Sequence, residues 1–117
     1  MKHYALLFHT STSRTLTPEE QKQRAVEIAA WVERVTKMGI TLDPHALGET
    51  ATTLSAKGSE VVLSDGSSDP TLSFILFFDS PTKDQAVDIA RIHPGLHYGV
   101  TVEVREWTSP RQPPARP

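Results

Sequence analysis

The chain has 117 residues, a formal net charge of −2 and no cysteine. This length suits one domain, which can bury roughly two thirds of its unfolded surface. The lack of cysteine excludes disulfides and thiolate metal sites, and the small negative charge gives no electrostatic basis for binding nucleic acid or anionic lipid. No apolar run is long enough to span a bilayer, and the apolar N-terminal stretch is too short for a secretory signal. We therefore expect a cytoplasmic protein with no membrane partner.

The N-terminal third of the chain predicts a strand followed by a helix. Residues 4–9 alternate like a strand, and residues 17–20 (Thr-Pro-Glu-Glu) have the form of a capping box that starts a helix. Lys37 and Gly39 supply the cation and the glycine typical of a helix end. The apolar stripe that should face the core consists of Ala25, Ile28, Ala29, Val32, Val35 and Met38.

The middle of the chain predicts a β-hairpin. Residues 50–55 and 60–64 flank the turn sequence Ala-Lys-Gly-Ser at 56–59. Residues 41–49 have no clear period and are expected to form a loop or an extended arm.

The C-terminal third predicts a second helix and a final strand. Ser80, followed by Pro81, is expected to cap a helix whose apolar residues lie on the sheet. Residues 100–107 alternate as a strand, with the three valines on one face. The proline-rich residues 109–117 are expected to be a disordered tail that follows a domain of residues 1–108.

The strand predicted at residues 71–78 is apolar on both faces. Ile75 and Phe77 lie on one face, and Leu72, Phe74, Leu76 and Phe78 lie on the other. Two helices between strands, with a hairpin in the middle, suggest an α+β fold of the ferredoxin-like split βαβ type, with both helices on one face of an antiparallel sheet. Since the other face is then uncovered, we expect a homodimer formed through this sheet face.

Four segments carry a resemblance to a known family. They are residues 61–66 (Val-Val-Leu-Ser-Asp-Gly), 78–80 (Phe-Asp-Ser), 94–99 (Pro-Gly-Leu-His-Tyr-Gly) and 101–105 (Thr-Val-Glu-Val-Arg). Together they resemble the YCII-related family, and above all its branch named for an Asp-Gly-Pro-Phe motif. The resemblance implies a small ferredoxin-like protein that dimerises through its sheet, in an association of the dimeric α+β barrel type.

The chain also departs from this family. The Asp-Gly-Pro-Phe motif reads Asp-Gly-Ser-Ser at residues 65–68. The founding branch carries a histidine in the first helix and an aspartate before the proline that follows the second helix, a proposed catalytic dyad. The first helix of this chain has no histidine, with Ile28 near the place where it would fall, and His93 precedes Pro94 where that branch has aspartate, so the dyad does not transfer. The positions that do match the family are Asp65, Glu103 and Arg105.

The candidate catalytic residues are Asp65, His93 and His97. The two histidines flank Pro94-Gly95 and could act as a base with Asp65 or share a metal, although we expect no metal site and no cofactor. Alternatively, proline and glycine keep the two rings on different faces, and His93 caps helix carbonyls as a cation. Asp65 has the alternative role of accepting backbone hydrogen bonds in a turn.

The candidate ligand-binding residues are His9, Glu103 and Arg105. Glu103 and Arg105 share one face of the last strand and could hold a polar ligand or pair across a subunit boundary, and His9 could line the same cleft. The alternatives are an exposed charge pair on the strand and a surface histidine at a strand end.

Three functions are compatible with these patterns. The first is a homodimer that binds a small ligand in a cleft near the dimer interface and has weak acid–base activity. The second is a non-catalytic regulatory or accessory dimerisation module. The third, resting on fold analogy alone, is a cofactor-independent monooxygenase-like dimeric α+β barrel. The sequence contains no phosphate-binding glycine loop, nucleophile elbow or metalloprotease motif.

Overall fold

A computed structural model describes residues 1–10 and 15–109 of the chain. The fold is α+β, with two α-helices, a four-stranded antiparallel sheet and a separate two-stranded antiparallel sheet. Neither helix in this part of the chain combines the length and the apolarity that crossing a bilayer requires. The elements are β1 Lys2–Thr10, α1 Pro18–Lys37, β2 Asp43–Ala46, β3 Thr52–Lys57, β4 Glu60–Asp65, β5 Leu72–Ser80, α2 Lys83–Arg91, a 3₁₀ helix Pro94–Tyr98, and β6 Val100–Trp107.

The main sheet has the strand order β2–β5–β1–β6. Its central pair, β1 and β5, runs antiparallel from Lys2 opposite Ser80 to Phe8 opposite Phe74. The register changes immediately afterwards, because His9 pairs with Leu72 and leaves one residue of β5 as a bulge. This bulge lies at the end of the sheet where β1 ends and β5 and β6 begin.

The hydrophobic core lies between one face of the main sheet and the two helices. Because side chains alternate along a strand, every second residue of β1 and β5 enters this core, and the valines of β6 pack against it as their alternation predicts. Ala86, Ile89 and Ala90 bring α2 onto the same face. The buried side chains that β1 and β5 contribute to this core are Tyr4, Leu6, Phe8, Leu76 and Phe78.

Helix α1 starts as the sequence predicts, but it faces the core with a different stripe. The capping box is present: Thr17 Oγ1 accepts from Glu20 N at 3.1 Å, and Thr17 N donates to Glu20 Oε1 at 3.1 Å. The prediction for Ala25, Ala29, Val32 and Met38 is wrong, because these residues are exposed. The buried helix residues are Trp31 and Val35. Trp31 sets the rotation of the helix, because its indole N–H donates to the Ile89 carbonyl at 3.0 Å, a partner that a buried indole requires.

The predicted hairpin is present but stands outside the main sheet. β3 and β4 pair with each other around a turn at Gly58, whose φ is +65°. The edge of the main sheet is occupied instead by β2, a segment expected to be a loop or an extended arm. Pro44 in β2 is compatible with this position, because an edge strand tolerates a residue without an N–H.

Helix α2 begins later than predicted. Thr82 is the N-cap, and its side chain accepts from Gln85 N at 3.2 Å. Ser80 does not cap the helix because it is still the last residue of β5, paired with Lys2. The buried Ser80 hydroxyl instead contacts Gln85 Oε1 at 2.6 Å and the Thr82 carbonyl at 3.1 Å.

The opposite face of the main sheet is covered by no helix or strand of the described chain. Ile75 and Phe77 lie on this open face, as the alternation of β5 predicts. Aromatic rings cross it in a row: the His45 and Phe77 centroids are 5.8 Å apart, those of Phe77 and Trp107 are 6.1 Å apart, and His3 stacks on Trp107 at 4.7 Å. The open face is therefore apolar and aromatic along its middle.

The buried hydroxyl of Tyr4 has no hydrogen-bond partner among the described residues. Such a group keeps its desolvation cost, so we expect Tyr4→Phe to raise the free energy of unfolding by about 1 kcal/mol. Tyr98→Phe is the matched control, since the Tyr98 hydroxyl donates to Glu27 Oε2 and its loss should destabilise the fold. Urea denaturation at fixed protein concentration measures both variants. Destabilisation by Tyr4→Phe would show that this hydroxyl is hydrogen-bonded in solution.

Candidate functional site

A cavity of about 320 Å³ opens between α1 and the end of the main sheet that carries the bulge. This volume lies at the lower end of the range for small-molecule sites. Its walls are mostly apolar, and a few polar groups converge on them. The apolar lining comes from Phe8, Ile28, Phe74 and Val100, and the polar lining from Thr10, Arg24, Ser73 and His93.

His93 is the most buried polar group of this cavity, with 6% of its surface exposed. Its ring meets the rings of Phe8 and Trp31 edge-on, at centroid distances of 4.8 and 4.6 Å. This apolar burial penalises the charged imidazolium and lowers the pKa of His93 to about 4. The imidazole is therefore neutral at physiological pH.

The hydrogen bond to Gly95 determines where the single ring proton sits. His93 Nδ1 accepts from the Gly95 N–H at 3.0 Å and so caps the N-terminus of the 3₁₀ helix. A neutral ring that accepts at Nδ1 carries its proton on Nε2. The alternative in which His93 caps helix carbonyls as a cation is wrong, because burial makes the ring neutral and an N–H group occupies Nδ1.

Gly95 is needed for this contact. A Cβ atom at position 95 would lie 2.9 Å from His93 Nδ1 and 3.0 Å from its Cε1. Both distances are below the normal van der Waals limit, so a larger residue would push the ring away from the backbone N–H. The Pro-Gly pair after His93 thus positions the imidazole as well as ending α2.

The Nε2–H of His93 has no hydrogen-bond partner among the described residues. In the same part of the chain, the Tyr4 hydroxyl is the one fully buried side-chain polar atom that lacks a partner. The Nε2–H therefore reaches accessible space, and the space that His93 lines is the cavity. It is available there as a hydrogen-bond donor.

Arg24 and Ser73 add further polar groups. Arg24 is half-buried on α1, one turn before Ile28, and its guanidinium forms no ion pair within residues 1–10 and 15–109. Ser73 is the extra residue of the bulge, and its hydroxyl lies 2.8 Å from Thr10 Oγ1. Bulges commonly redirect a side chain in this way beside functional sites. The cavity thus combines a cation, an N–H donor and hydroxyls with apolar walls.

The three predicted ligand-binding residues meet in a second cluster, on the open face at the same end of the sheet. His9 Nε2 lies 3.4 Å from Glu103 Oε1, and Glu103 Oε2 lies 3.4 Å from Arg105 Nη1. The turn before β5 completes the cluster, because His9 Nδ1 is 3.3 Å from Asp69 Oδ2 and 3.1 Å from Thr71 Oγ1. The hydrogen bond from the Thr71 hydroxyl lowers the pKa of Asp69.

The three predicted catalytic residues line three different cavities. Asp65 ends β4 and lines an exposed groove at the base of the hairpin, and His97 lines a groove beside Glu27 and Trp31 on the outside of α1. His93 lines the inner cavity. The structure therefore does not bring Asp65 together with either histidine, and catalytic roles for Asp65 and His97 stay predictions. Within the described residues, no group of three acidic or histidine side chains could hold a metal ion.

Sequence reasoning missed Arg24, Ser73 and Asp69. Arg24 lies one position away from the predicted apolar stripe of α1. Ser73 reaches the cavity because of a bulge, and no local sequence pattern predicts that bulge. Asp69 lies in a turn-rich segment where aspartate is common. Two residues that the sequence does single out, Ile28 and His93, line the cavity.

Comparisons with models of known protein families and with curated proteins give no match to this chain.

The depressed pKa of His93 makes the stability of the fold depend on pH. Between pH 6.5 and 4 the unfolded chain binds a proton at this imidazole and the folded chain does not, so stability falls as the pH is lowered through this window. The difference in pKa corresponds to about 3 kcal/mol. Asparagine at position 93 can still accept from the Gly95 N–H, but it does not titrate.

We therefore expect the free energy of unfolding of the wild type, relative to His93→Asn, to fall by about 3 kcal/mol between pH 7 and pH 4. Urea denaturation at fixed protein concentration measures the free energy of unfolding of both proteins. The contributions of the other titrating groups cancel in the difference, because both proteins carry those groups. A difference between the two proteins that does not change with pH would contradict a buried, neutral His93.

Proposed function

We propose that the protein is a homodimer of the YCII-related type that binds a small carboxylate in the cavity beside His93. The observation that carries this proposal is that two groups line the same largely apolar cavity: the His93 Nε2–H and the Arg24 guanidinium, which forms no ion pair in the described chain. Both donors reach the cavity without a partner among the described residues, so both are available to a ligand. A ligand with negatively charged oxygens supplies that partner.

The fold supports the family part of the proposal. Without the β3–β4 hairpin, the order of elements is β-α-β-β-α-β, and the sheet order β2–β5–β1–β6 fits the ferredoxin-like arrangement with both helices on one face. The hairpin is then an insertion between β2 and β5. The uncovered open face, with Phe77 and Trp107 on it, supports association of two copies through the sheet.

The chemistry of the cavity defines the class of ligand. A guanidinium binds a carboxylate through two parallel N–H···O bonds, and the imidazole N–H adds a third donor. Phe8, Phe74 and Val100 offer no polar groups and suit an aromatic or short aliphatic body. A volume of about 320 Å³ restricts that body to a small molecule.

The state of His93 favours binding over proton abstraction. A general base needs a free lone pair, and the lone pair of His93 is engaged by the Gly95 N–H. The free side of the ring can only donate, so His93 orients or polarises a ligand oxygen. This geometry argues against His93 as a general base. It favours a non-catalytic, ligand-responsive protein as the second candidate function.

Benzoate is a suitable probe for the cavity, since it combines a carboxylate with a flat apolar body. We expect benzoate to shift the amide NMR signals of residues that line the cavity, and benzamide to bind at least tenfold more weakly because it lacks the charge. Arg24→Gln should weaken benzoate binding about tenfold or more, which corresponds to the loss of one charge-assisted contact.

Lys22→Gln is the matched control for Arg24→Gln. It removes the same charge from the same helix at an exposed position, so the benzoate affinity should stay within about twofold of the wild type. Equal affinities for benzoate and benzamide, or equal effects of Arg24→Gln and Lys22→Gln on benzoate binding, would refute the proposed carboxylate site.

The dimer is tested separately on the open face. We expect sedimentation equilibrium at micromolar concentration to show a dimer, and Phe77→Glu to shift it to a monomer because a charge cannot be buried unpaired at the centre of an interface. Val26→Glu, on the exposed side of α1, is the control and should remain dimeric. Circular dichroism confirms that each variant is folded. A wild-type monomer would refute the homodimer.

A further inference from the structure

The β3–β4 hairpin, residues 52–65, forms an arm outside the main sheet. All of its strand residues except Thr53 are exposed. Its cross-strand pairs separate two faces: Leu54 lies opposite Leu63 and Ala56 opposite Val61 on one face, while Ser55 lies opposite Val62 on the other. The first face is apolar except at the base of the arm, where Thr52 lies opposite Asp65, and Leu54, Val61 and Leu63 are each more than 60% exposed.

An apolar face on a lone hairpin needs a cover. A two-stranded hairpin is at best marginally stable in water, and a contiguous exposed apolar patch usually marks an interaction surface. Within the described chain, no core residue comes from the arm. Within residues 1–10 and 15–109, the apolar face of the arm is therefore uncovered.

Hydrogen bonds close the base of the arm, although both faces of the arm are exposed. Gly66 N donates to the Ala51 carbonyl at 2.7 Å, and Thr53 Oγ1 donates to the Gly66 carbonyl at 2.7 Å. Below this, Thr71 and Asp69 contact His9 of the main sheet at 3.1 and 3.3 Å. The hydrogen bonds at residues 51, 53 and 66 thus close the base of the arm, and the loop that follows the arm contacts the rim of the open face.

We propose that the occupant is a second copy of this chain, with the apolar face of each arm packed on its partner as part of the same dimer that covers the open sheet. The described part of one chain leaves two apolar surfaces uncovered, the open face and the arm, and neither of them covers the other. A twofold symmetric association covers both surfaces on both copies at once. This inference rests on the homodimer of the proposed function.

The area that a stable dimer needs supports this assignment. At about 3.3 Å per residue and 4.8 Å between strands, the projected open face measures roughly 25 by 19 Å, or about 500 Å². A stable interface buries about 800 Å² of accessible surface on each partner. The arm adds roughly 200 Å² of projected area by the same geometry, which enlarges the apolar surface available for such an interface by about two fifths.

The test exchanges the apolar pair of the arm for a charge pair that keeps the hairpin. In Leu54→Glu with Leu63→Lys, the opposite charges face each other across the strands and preserve the pairing. Ser55→Glu with Val62→Lys is the matched control, because it places the same pair on the other face. We expect the first double variant to raise the dimer Kd about tenfold or more in sedimentation equilibrium, and the control to change it less than about threefold.

A second measurement does not depend on these variants folding well. Because the chain has no cysteine, a nitroxide label can be placed at Leu63→Cys or at Val62→Cys alone. In the dimer, the label at position 63 should give a broad, immobilised spectrum and the label at position 62 a sharp one. Dilution below the dimer Kd should sharpen the first spectrum.

The outcomes separate this inference from the proposed function. If Phe77→Glu dissociates the dimer while the arm variant and the position-63 label behave like their controls, the dimer stands and the arm is refuted as part of it. The apolar face of the arm would then not be covered by the second copy. If the wild type is a monomer at micromolar concentration, the arm inference and the homodimer both fail, whereas benzoate binding by the cavity is judged independently.

Discussion

The structure depends on a mismatch between its central sheet and its two helices. β1 and β5 carry apolar side chains on both faces, yet α1 and α2 lie on one face only. Burying Leu6, Leu76 and Phe78 under the helices is the main source of stability available to the chain. The same pairing leaves Phe77 and Ile75 on the side that no described element covers. The open face follows directly from how the core is built.

The alternation of strand residues could be predicted from the sequence because it is local, whereas features that depend on distant partners could not. The faces of β5 and β6, the capping box of α1 and the hairpin turn each depend on residues within one element. The rotation of α1 depends on the Trp31 indole finding the Ile89 carbonyl, and β2 is a strand because β5 offers it an unpaired edge. Neither partner is visible from the segment itself.

The site shows the same division. The residue types predict that His9, Glu103 and Arg105 bind a ligand, and these three side chains do meet on the open face. The residue type also makes His93 a candidate. The role of His93 could not be read from its position after a helix, because burial against Phe8 and Trp31 and the N–H of Gly95 decide its charge and its proton. Spacing indicates which side chains are candidates, and packing determines what they can donate or accept.

The bulge in β5 explains why both candidate sites and the arm lie at one end of the sheet. In a regular strand, Ser73 and Leu72 would continue the alternation, and His9 would face a different residue. The extra residue instead turns Ser73 to the cavity on the helix side and brings Leu72 opposite His9. The loop between the arm and β5 contacts His9 at the same place, through Asp69 and Thr71. Ser73 lines both the cavity beside His93 and the groove at the base of the arm, so the two features share the backbone at the start of β5.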